Sequence, residues 1–408
     1  MQAPAMPRLP MSPRPRLPAR LGLAALVVVL AAGAGVPAGA APRRSPTDPA
    51  SRIAALGTLV ATNDAAAGAA DRDVASLTGR LVALQRAEAA ARARTDALSV
   101  AADTARIRLA DARAALRLLA VAAYRDGARP QDLLAIVDAR APIDAVHRQH
   151  LVARSAEIRQ RAIVESRRAE RAAQRAVQEA RAARDRIRRD TETVESQLPV
   201  ARRRAEAARR RATLARFWLA RWRSVEGGIA TLIRGQPVLG SEEMARWFAA
   251  TRGTRNRTTV PMPELTRYYV EEGSAENVRS DIAFAQSILE TASFRFPDGG
   301  QVAPSDNNFA GMDACDSCTT GSRFPDARTG VRAQMQQLRV YAQPGLRNWM
   351  LGHPPVNPRL DTHFLKGRVP TWGGLTRTWA TASGYGDRII EIYCEMLAWL
   401  TDRAGLDT

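Results

Sequence analysis

The chain has 408 residues and a formal net charge of +19, with 60 Lys and Arg against 41 Asp and Glu. That length accommodates two domains, and the charge draws the chain to polyanions such as nucleic acid, anionic lipid or phosphate-bearing envelope polymers. Lys366 is the single lysine. The wealth of arginine and alanine therefore reads as the codon bias of a high-G+C bacterial genome, and arginine count alone identifies no function.

The N-terminus reads as an export signal. Arg8, Arg14, Arg16 and Arg20 precede the apolar run LGLAALVVVLAAGAGV (21–36), and Ala38-Gly39-Ala40 supplies a small-x-small site, which places cleavage after Ala40. The run is shorter than the roughly 20 residues that a membrane span requires, so an uncleaved anchor is the alternative. On either reading the remaining chain lies outside the cytoplasm, secreted or at the cell surface, and nucleic acid is not an expected partner. Residues 41–50 (APRRSPTDPA) read as a linker.

Residues 51–225 are rich in Ala, Arg, Glu and Leu. Alternate steps of three and four from Val74 pass through Leu77, Leu81, Leu84, Glu88, Ala91, Thr95 and Leu98, then on to Leu116 and Leu119, with Glu88 and Thr95 the only polar interruptions. A seam sustained over four heptads predicts a coiled coil. A second, leucine-poor seam is read from Ile158 through Ala162, Ala169, Ala172, Ala176, Ala180, Ala183, Ile187 and Val194 to Leu198. Gly127 and Pro130 break the first helix and Pro142 precedes the second, so the pair reads as an antiparallel hairpin with a small helical knob at its tip. From 151 to 216 the return helix carries 19 Arg against 9 Asp and Glu. Its two readings are a solvated face and an adhesive surface for anionic wall polymer or lipid headgroups.

Three cysteines occur, Cys315, Cys318 and Cys394. In an oxidising compartment the Cys315-x-x-Cys318 pair reads as a disulfide. Zinc is the alternative, although structural sites normally take four ligands; no metal and no cofactor is assigned. Cys394 lies in an apolar helical run and reads as a buried hydrophobe.

From residue 226 glycine, proline and aromatics return and the heptads end, which marks a globular domain over 226–408, long enough to bury a core. Within it, residues 280–296 (SDIAFAQSILETASFRF) read as a helix, with Ile282, Ala285, Ile288, Leu289 and Ala292 at three- and four-residue steps. Glu290 falls where that helix meets a loop. Partial burial against Phe294 or Phe296 would raise its pKa, as a general acid requires. Taken alone, such a glutamate is structural more often than catalytic.

Three ordered segments change that balance. Gln286-Ser287-Ile288-Leu289-Glu290-Thr291-Ala292-Ser293-Phe294, Asn307-Asn308-Phe309-Ala310-Gly311-Met312 and Ala380-Thr381-Ala382-Ser383-Gly384-Tyr385 through Ile389 resemble the motifs of the glucosaminidase family of peptidoglycan hydrolases. The resemblance covers about residues 237–400. It implies a fold that is mostly α, with the long antiparallel coiled-coil hairpin followed by an α+β lysozyme-like glycosidase domain, and cleavage of the β-1,4 bond after N-acetylglucosamine in peptidoglycan. It also implies Glu290 as general acid, Tyr385 as a tyrosine beside the reacting sugar, and Asn308 and Phe309 as residues of the cleft wall. Apart from the resemblance, Trp379 reads either as a ring that stacks on a sugar or as core, and Phe294 beside Glu290 as a further substrate-binding residue. Thr291-Ala292 departs from the family's Ser-Gly, and alanine restricts a turn that glycine permits. The hairpin itself, with Ala123-Tyr124, Asp132-Leu133-Leu134 and Ala141-Pro142, resembles the coiled coils of secreted peptidoglycan hydrolases and division-hydrolase activators, which implies a regulatory or positioning role and a membrane division complex as partner.

A second carboxylate is not singled out by sequence. Asp313 and Asp326, in the stretch expected to hold the β-element, are the candidates preferred over Asp298, Asp306 and Asp316; an inverting mechanism would set the two carboxyls roughly 6.5–9.5 Å apart. The alternatives to a glucosaminidase are a lytic transglycosylase or muramidase on the same fold, and a non-catalytic glycan-binding scaffold that activates another hydrolase.

Overall fold

Two helices of unusual length dominate the computed structural model, which describes residues 47–125, 142–253, 255–314 and 320–406. The export signal, the hairpin tip at 126–141 and the Cys315–Cys318 pair lie outside the described residues. Helix α1 (Pro49–Arg125) runs antiparallel to α2 (Pro142–Arg223). Among the described residues no helix is long and apolar enough to cross a membrane.

Helix α1 starts inside the stretch read as linker, for a local reason. The Asp48 carboxylate accepts the Ser51 backbone N–H at 2.8 Å, and Pro49 opens the first turn, where its missing N–H costs nothing. The first seam follows the heptad reading. From Val74 to Leu116 every seam position is buried or half-buried, and the Thr95 hydroxyl is satisfied by the Ala91 carbonyl at 2.8 Å.

The second seam needs a correction. Ile158, Ala162, Ala169 and Ala172 are exposed, and the buried line instead passes through Ile163 and Val177 before joining the expected one at Ala180, Val194 and Leu198. Where alanine fills most positions two registers look alike, and the larger side chains at Ile163 and Val177 decide between them by burying more apolar area.

The open end of the hairpin is built into the globular core. Leu56 from α1 and Ala215, Trp218, Leu219, Trp222 and Val225 from the end of α2 belong to the same buried cluster as the C-terminal helices. Trp222 donates to Thr401 Oγ1 at 3.0 Å, and the buried Arg52 pairs with Asp402 at 2.8 Å. The 225/226 boundary therefore cuts through a continuous core.

The globular part adds α3 (Ser241–Thr251), α4 (Met262–Glu276), α5 (Ser280–Glu290), α6 (Ala327–Ala342) and α7 (Tyr385–Asp402). Helix α5 is the central one, with every residue from Ser280 to Ile288 buried and with α4 and α7 packed on it. Of its polar members, Asp281, Gln286, Ser287 and Glu290 are engaged, whereas the buried Ser280 hydroxyl has no hydrogen-bond partner among the described residues. Asp281 accepts from the Val238 and Leu239 N–H groups, from Arg279 and from the Tyr393 hydroxyl. Burial opposes ionisation of Asp281, but the Arg279 guanidinium together with the Tyr393 and Val238 hydrogen bonds holds the carboxyl below the usual range.

The mostly α reading holds, but the expected small β-element does not form among the described residues. Only isolated bridges occur, such as Leu232 with Thr371 and Arg234 with Val278. The described residues between Arg295 and Pro325 turn repeatedly, with left-handed backbone at Gly299, Asn307, Gly311 and Asp313, which interrupts the extended conformation that a strand needs.

Candidate active site

Glu290 is the last residue of α5, and the backbone reverses immediately after it. Ala292, Ser293 and Phe294 all have positive φ (51°, 64° and 56°). For residues with a Cβ this conformation costs roughly 1–2 kcal/mol each. Compensation is visible in the turn itself. The Thr291 hydroxyl donates to Ser287 O at 2.6 Å and accepts Phe294 N–H at 2.8 Å, and the Phe294 ring is buried against Phe248, Phe284 and Phe309. Alanine at 292 thus adopts the turn where the family pattern has glycine.

The hydroxyl of Tyr385, at the first turn of α7, donates to Glu290 Oε1. Behind Tyr385 stands a buried file of polar side chains. Gln286 Nε2 donates to the Tyr385 oxygen at 3.0 Å, and Gln334 Nε2 donates to Gln286 Oε1 at 3.0 Å and to Ala283 O at 3.3 Å. Gln334 Oε1 lies 3.1 Å from the Ser287 hydroxyl and 3.0 Å from that of Tyr269. The direction of the file is fixed by chemistry. Tyr385 has one proton and already accepts from Gln286, so that proton goes to Glu290 Oε1. A protonated Glu290 then carries its hydrogen on Oε2. That oxygen faces Gly311, where an added Cβ would stand 3.1 Å from it. Burial pushes the Glu290 carboxyl up to about 7, against a smaller downward pull from the Tyr385 hydrogen bond. Burial also raises the Tyr385 hydroxyl well above its ordinary value, with the neighbouring Glu290 adding to the rise.

Beyond Gly311 opens a cleft of about 600 Å³, lined by Gly311, Asp313, Arg323, Tyr341, His363 and Trp379 among others. Trp379 donates its indole N–H to Ala310 O at 2.9 Å and packs edge-on to Tyr341 with ring centres 5.5 Å apart. Tyr341, His363 and Phe364 continue as a row of rings spaced 5.1 and 4.9 Å apart.

The structure separates the residues expected in this cleft. Glu290 and Tyr385 meet directly, and Trp379 lines the cleft. Asn308, Phe309 and Phe294 are fully buried and cannot touch a substrate. Asn308 is instead a staple. Its amide donates to Met312 O at 2.9 Å and Ser322 O at 3.0 Å, and its oxygen accepts Met312 N–H at 3.0 Å, closing the turn that presents Gly311 to Glu290. Phe309 and Phe294 pack on each other beneath that turn.

Of the two preferred carboxylates, Asp326 is the N-cap of α6, accepting Thr329 N–H at 2.8 Å. Asp306 caps a short turn through Ala303 N–H and pairs with Arg323, and Asp298 pairs with Arg257 in solvent. Asp313 is exposed at the cleft, accepting from Ser322 Oγ. Its charge acts on the neighbouring His363, whose pKa burial lowers and Asp313 raises, with burial prevailing.

Sequence reasoning passed over Gln286 and Gln334 as positioning groups and Tyr341 and His363 as cleft residues. Gln286 lies four residues before Glu290, on the same helix face, which is a readable signal. The others come from distant segments and carry no local mark.

Residues 266–397, which contain the whole file from Tyr269 to Tyr385, match the family described as Mannosyl-glycoprotein endo-beta-N-acetylglucosaminidase. A glucosaminidase-family domain therefore occupies this part of the chain. An uncharacterized protein of Borreliella burgdorferi is 31% identical over 136 residues, which make up 33% of this chain and 63% of that protein. The match thus spans less than two thirds of that relative's length. No solved structure matches. Within the glucosaminidase domain, Glu290 is the carboxylate that combines burial, a dedicated tyrosine donor and an oxygen turned to the cleft floor.

Proposed function

We propose that this chain is an exported peptidoglycan hydrolase that cleaves the β-1,4 bond following N-acetylglucosamine, with Glu290 as general acid. The observation that carries this reading is the pairing of Glu290 with Tyr385 at the edge of the cleft. A carboxyl near pKa 7 is protonated for about half of the time at neutral pH, and its proton sits on the oxygen that faces Gly311. A glycosidic oxygen placed there accepts that proton as the bond to the sugar breaks. Asp313 is the carboxylate assigned to activate water or to steady the developing positive charge, because among the described residues the other candidate aspartates serve as caps or solvent ion pairs. The rings of Trp379 and Tyr341 offer apolar faces to sugar rings.

Among the described residues the hairpin supplies none of those that line the cleft, and its base packs on α3, α7 and the segment after α2. A positioning role therefore fits better than steric closure of the cleft.

The deciding experiment is digestion of purified peptidoglycan with product analysis by mass spectrometry. Reducing-end N-acetylglucosamine is the expected product, absent with Glu290→Gln. Reducing or anhydro muramic ends would make the enzyme a muramidase or transglycosylase. Equal clearing by wild type and Glu290→Gln would remove the catalytic assignment.

A further inference from the structure

The positive charge of this chain is concentrated on one helix. Helix α2 carries 22 Arg against 10 Asp and Glu, whereas residues 226–408 carry 19 Arg and Lys against 20 Asp and Glu. Codon bias raises arginine everywhere; it does not segregate it to one helix or to one side of that helix. The buried positions of α2, such as Ile163, Val177, Val194, Leu198, Ala205 and Trp222, fix its heptad register. In that register Arg161, Arg168, Arg175, Arg189, Arg203 and Arg210 recur at multiples of seven, all exposed. An adjacent exposed row runs from Arg167 through Arg181, Arg188, Arg202 and Arg209 to Arg216. Within the helix, Glu157, Glu192 and Glu206 lie between the two rows and pair with Arg161, Arg188 and Arg210.

Among the described residues, α1 pairs with this strip near the base, where Asp64 meets Arg216 and Asp71 meets Arg209. Further outward Arg167, Arg168, Arg175, Arg181, Arg189, Arg202 and Arg203 have no ion pair among the described residues, so like charges line up along one face. Such an arrangement destabilises the free hairpin and favours a bound counter-charge.

The shape of the strip selects the kind of partner. A strict seven-residue repeat imposes a left-handed supercoil with a pitch near 150 Å, and the 82 residues of α2 span about 120 Å, so the strip winds by more than half a turn. A flat lipid surface meets only part of such a path, whereas a flexible chain follows all of it. We propose that the arginine strip of α2 is a binding rail for a flexible linear polymer of phosphate groups.

The test is binding of fluorescently labelled long-chain inorganic polyphosphate to the full chain across a salt series. Arg168→Gln, Arg175→Gln, Arg181→Gln and Arg189→Gln together remove four strip charges while keeping good helix formers at exposed positions. This variant should bind at least about tenfold more weakly near physiological salt, with a shallower salt dependence. A control carrying Arg72→Gln, Arg86→Gln, Arg204→Gln and Arg211→Gln loses the same net charge off the strip and should weaken binding less than about threefold. Equal losses in both variants would reduce the effect to net charge and overturn the rail. So would failure of the wild-type chain to bind polyphosphate, or tighter binding per charge to phosphatidylglycerol vesicles. Peptidoglycan clearing by the strip variant should be unchanged, which keeps this outcome separate from that of the Glu290 assignment.

Discussion

Tyr385 donates its only hydroxyl proton to Glu290, joining the first turn of α7 to the last residue of α5. This contact lowers the Glu290 pKa against the larger upward push of burial. Tyr385→Phe should therefore move the alkaline limb of the kcat/KM profile above pH 7, because a carboxyl without its donor holds its proton longer. The same change frees the carboxyl to rotate, and kcat should fall by about ten- to a hundredfold. A pH–rate profile of the variant checks both effects; an unmoved limb would remove Tyr385 from the control of Glu290.

Glu290 also links stability to pH. Its folded value of about 7 lies above the usual value of 4.5. The stabilisation it contributes is therefore complete below pH 4.5 and is lost as pH rises through 7. Glu290→Gln abolishes this loss. The variant should gain thermal stability relative to wild type on going from pH 5 to pH 8, by at most about 3 kcal/mol, while activity falls by about 10²–10⁴. Melting curves at the two pH values give the first effect and a zymogram the second.

The turn after Glu290 holds alanine in a glycine conformation. Ala292→Gly should stabilise the protein by about 1 kcal/mol, since relief of the positive-φ cost exceeds the added freedom of the unfolded chain. Denaturant unfolding measures this directly, and a loss of stability would mean that the φ of 51° is not maintained in solution.

Asp313→Asn distinguishes the two routes for the second half of the reaction. With Asp313 activating water, the substitution should lower kcat by about 100-fold or more with little change in KM. A loss below about tenfold would place the nucleophile on the substrate's own N-acetyl group.

Cutting the chain before residue 226 removes Trp218, Trp222, Leu219 and Leu56 from the shared core. Losing a single buried tryptophan costs about 3–5 kcal/mol, on the scale of the whole stability of a domain. The isolated 226–408 fragment should lack a cooperative thermal transition that the full chain shows.

What was legible in sequence follows the reach of the signals. The α1 seam was readable because leucine marks it, and α2 was misread where alanine leaves two registers equivalent. The ordered motifs point to Glu290 and Tyr385, and the structure brings those two side chains into contact. Asn308 and Phe309, from the same motifs, proved to support the turn rather than line the cleft, since a motif marks a needed residue without saying which way it faces. Tyr341 and His363 reach the cleft from segments far from Glu290 in the chain, and only tertiary packing brings them there. The β-element was expected by resemblance alone, and the glycines and left-handed turns between Arg295 and Pro325 do not support one.

The embedding of Trp222 and Arg52 in the core has a mechanical consequence. An arm joined through a loose linker would absorb displacement at its far end by swivelling. This arm enters its domain through a buried tryptophan and a buried ion pair, so bending at the root means breaking the fold. The helix itself runs about 100 Å, the length set by some 77 residues of α1, so a small change of angle at this shared root displaces residues far along the arm by many ångströms.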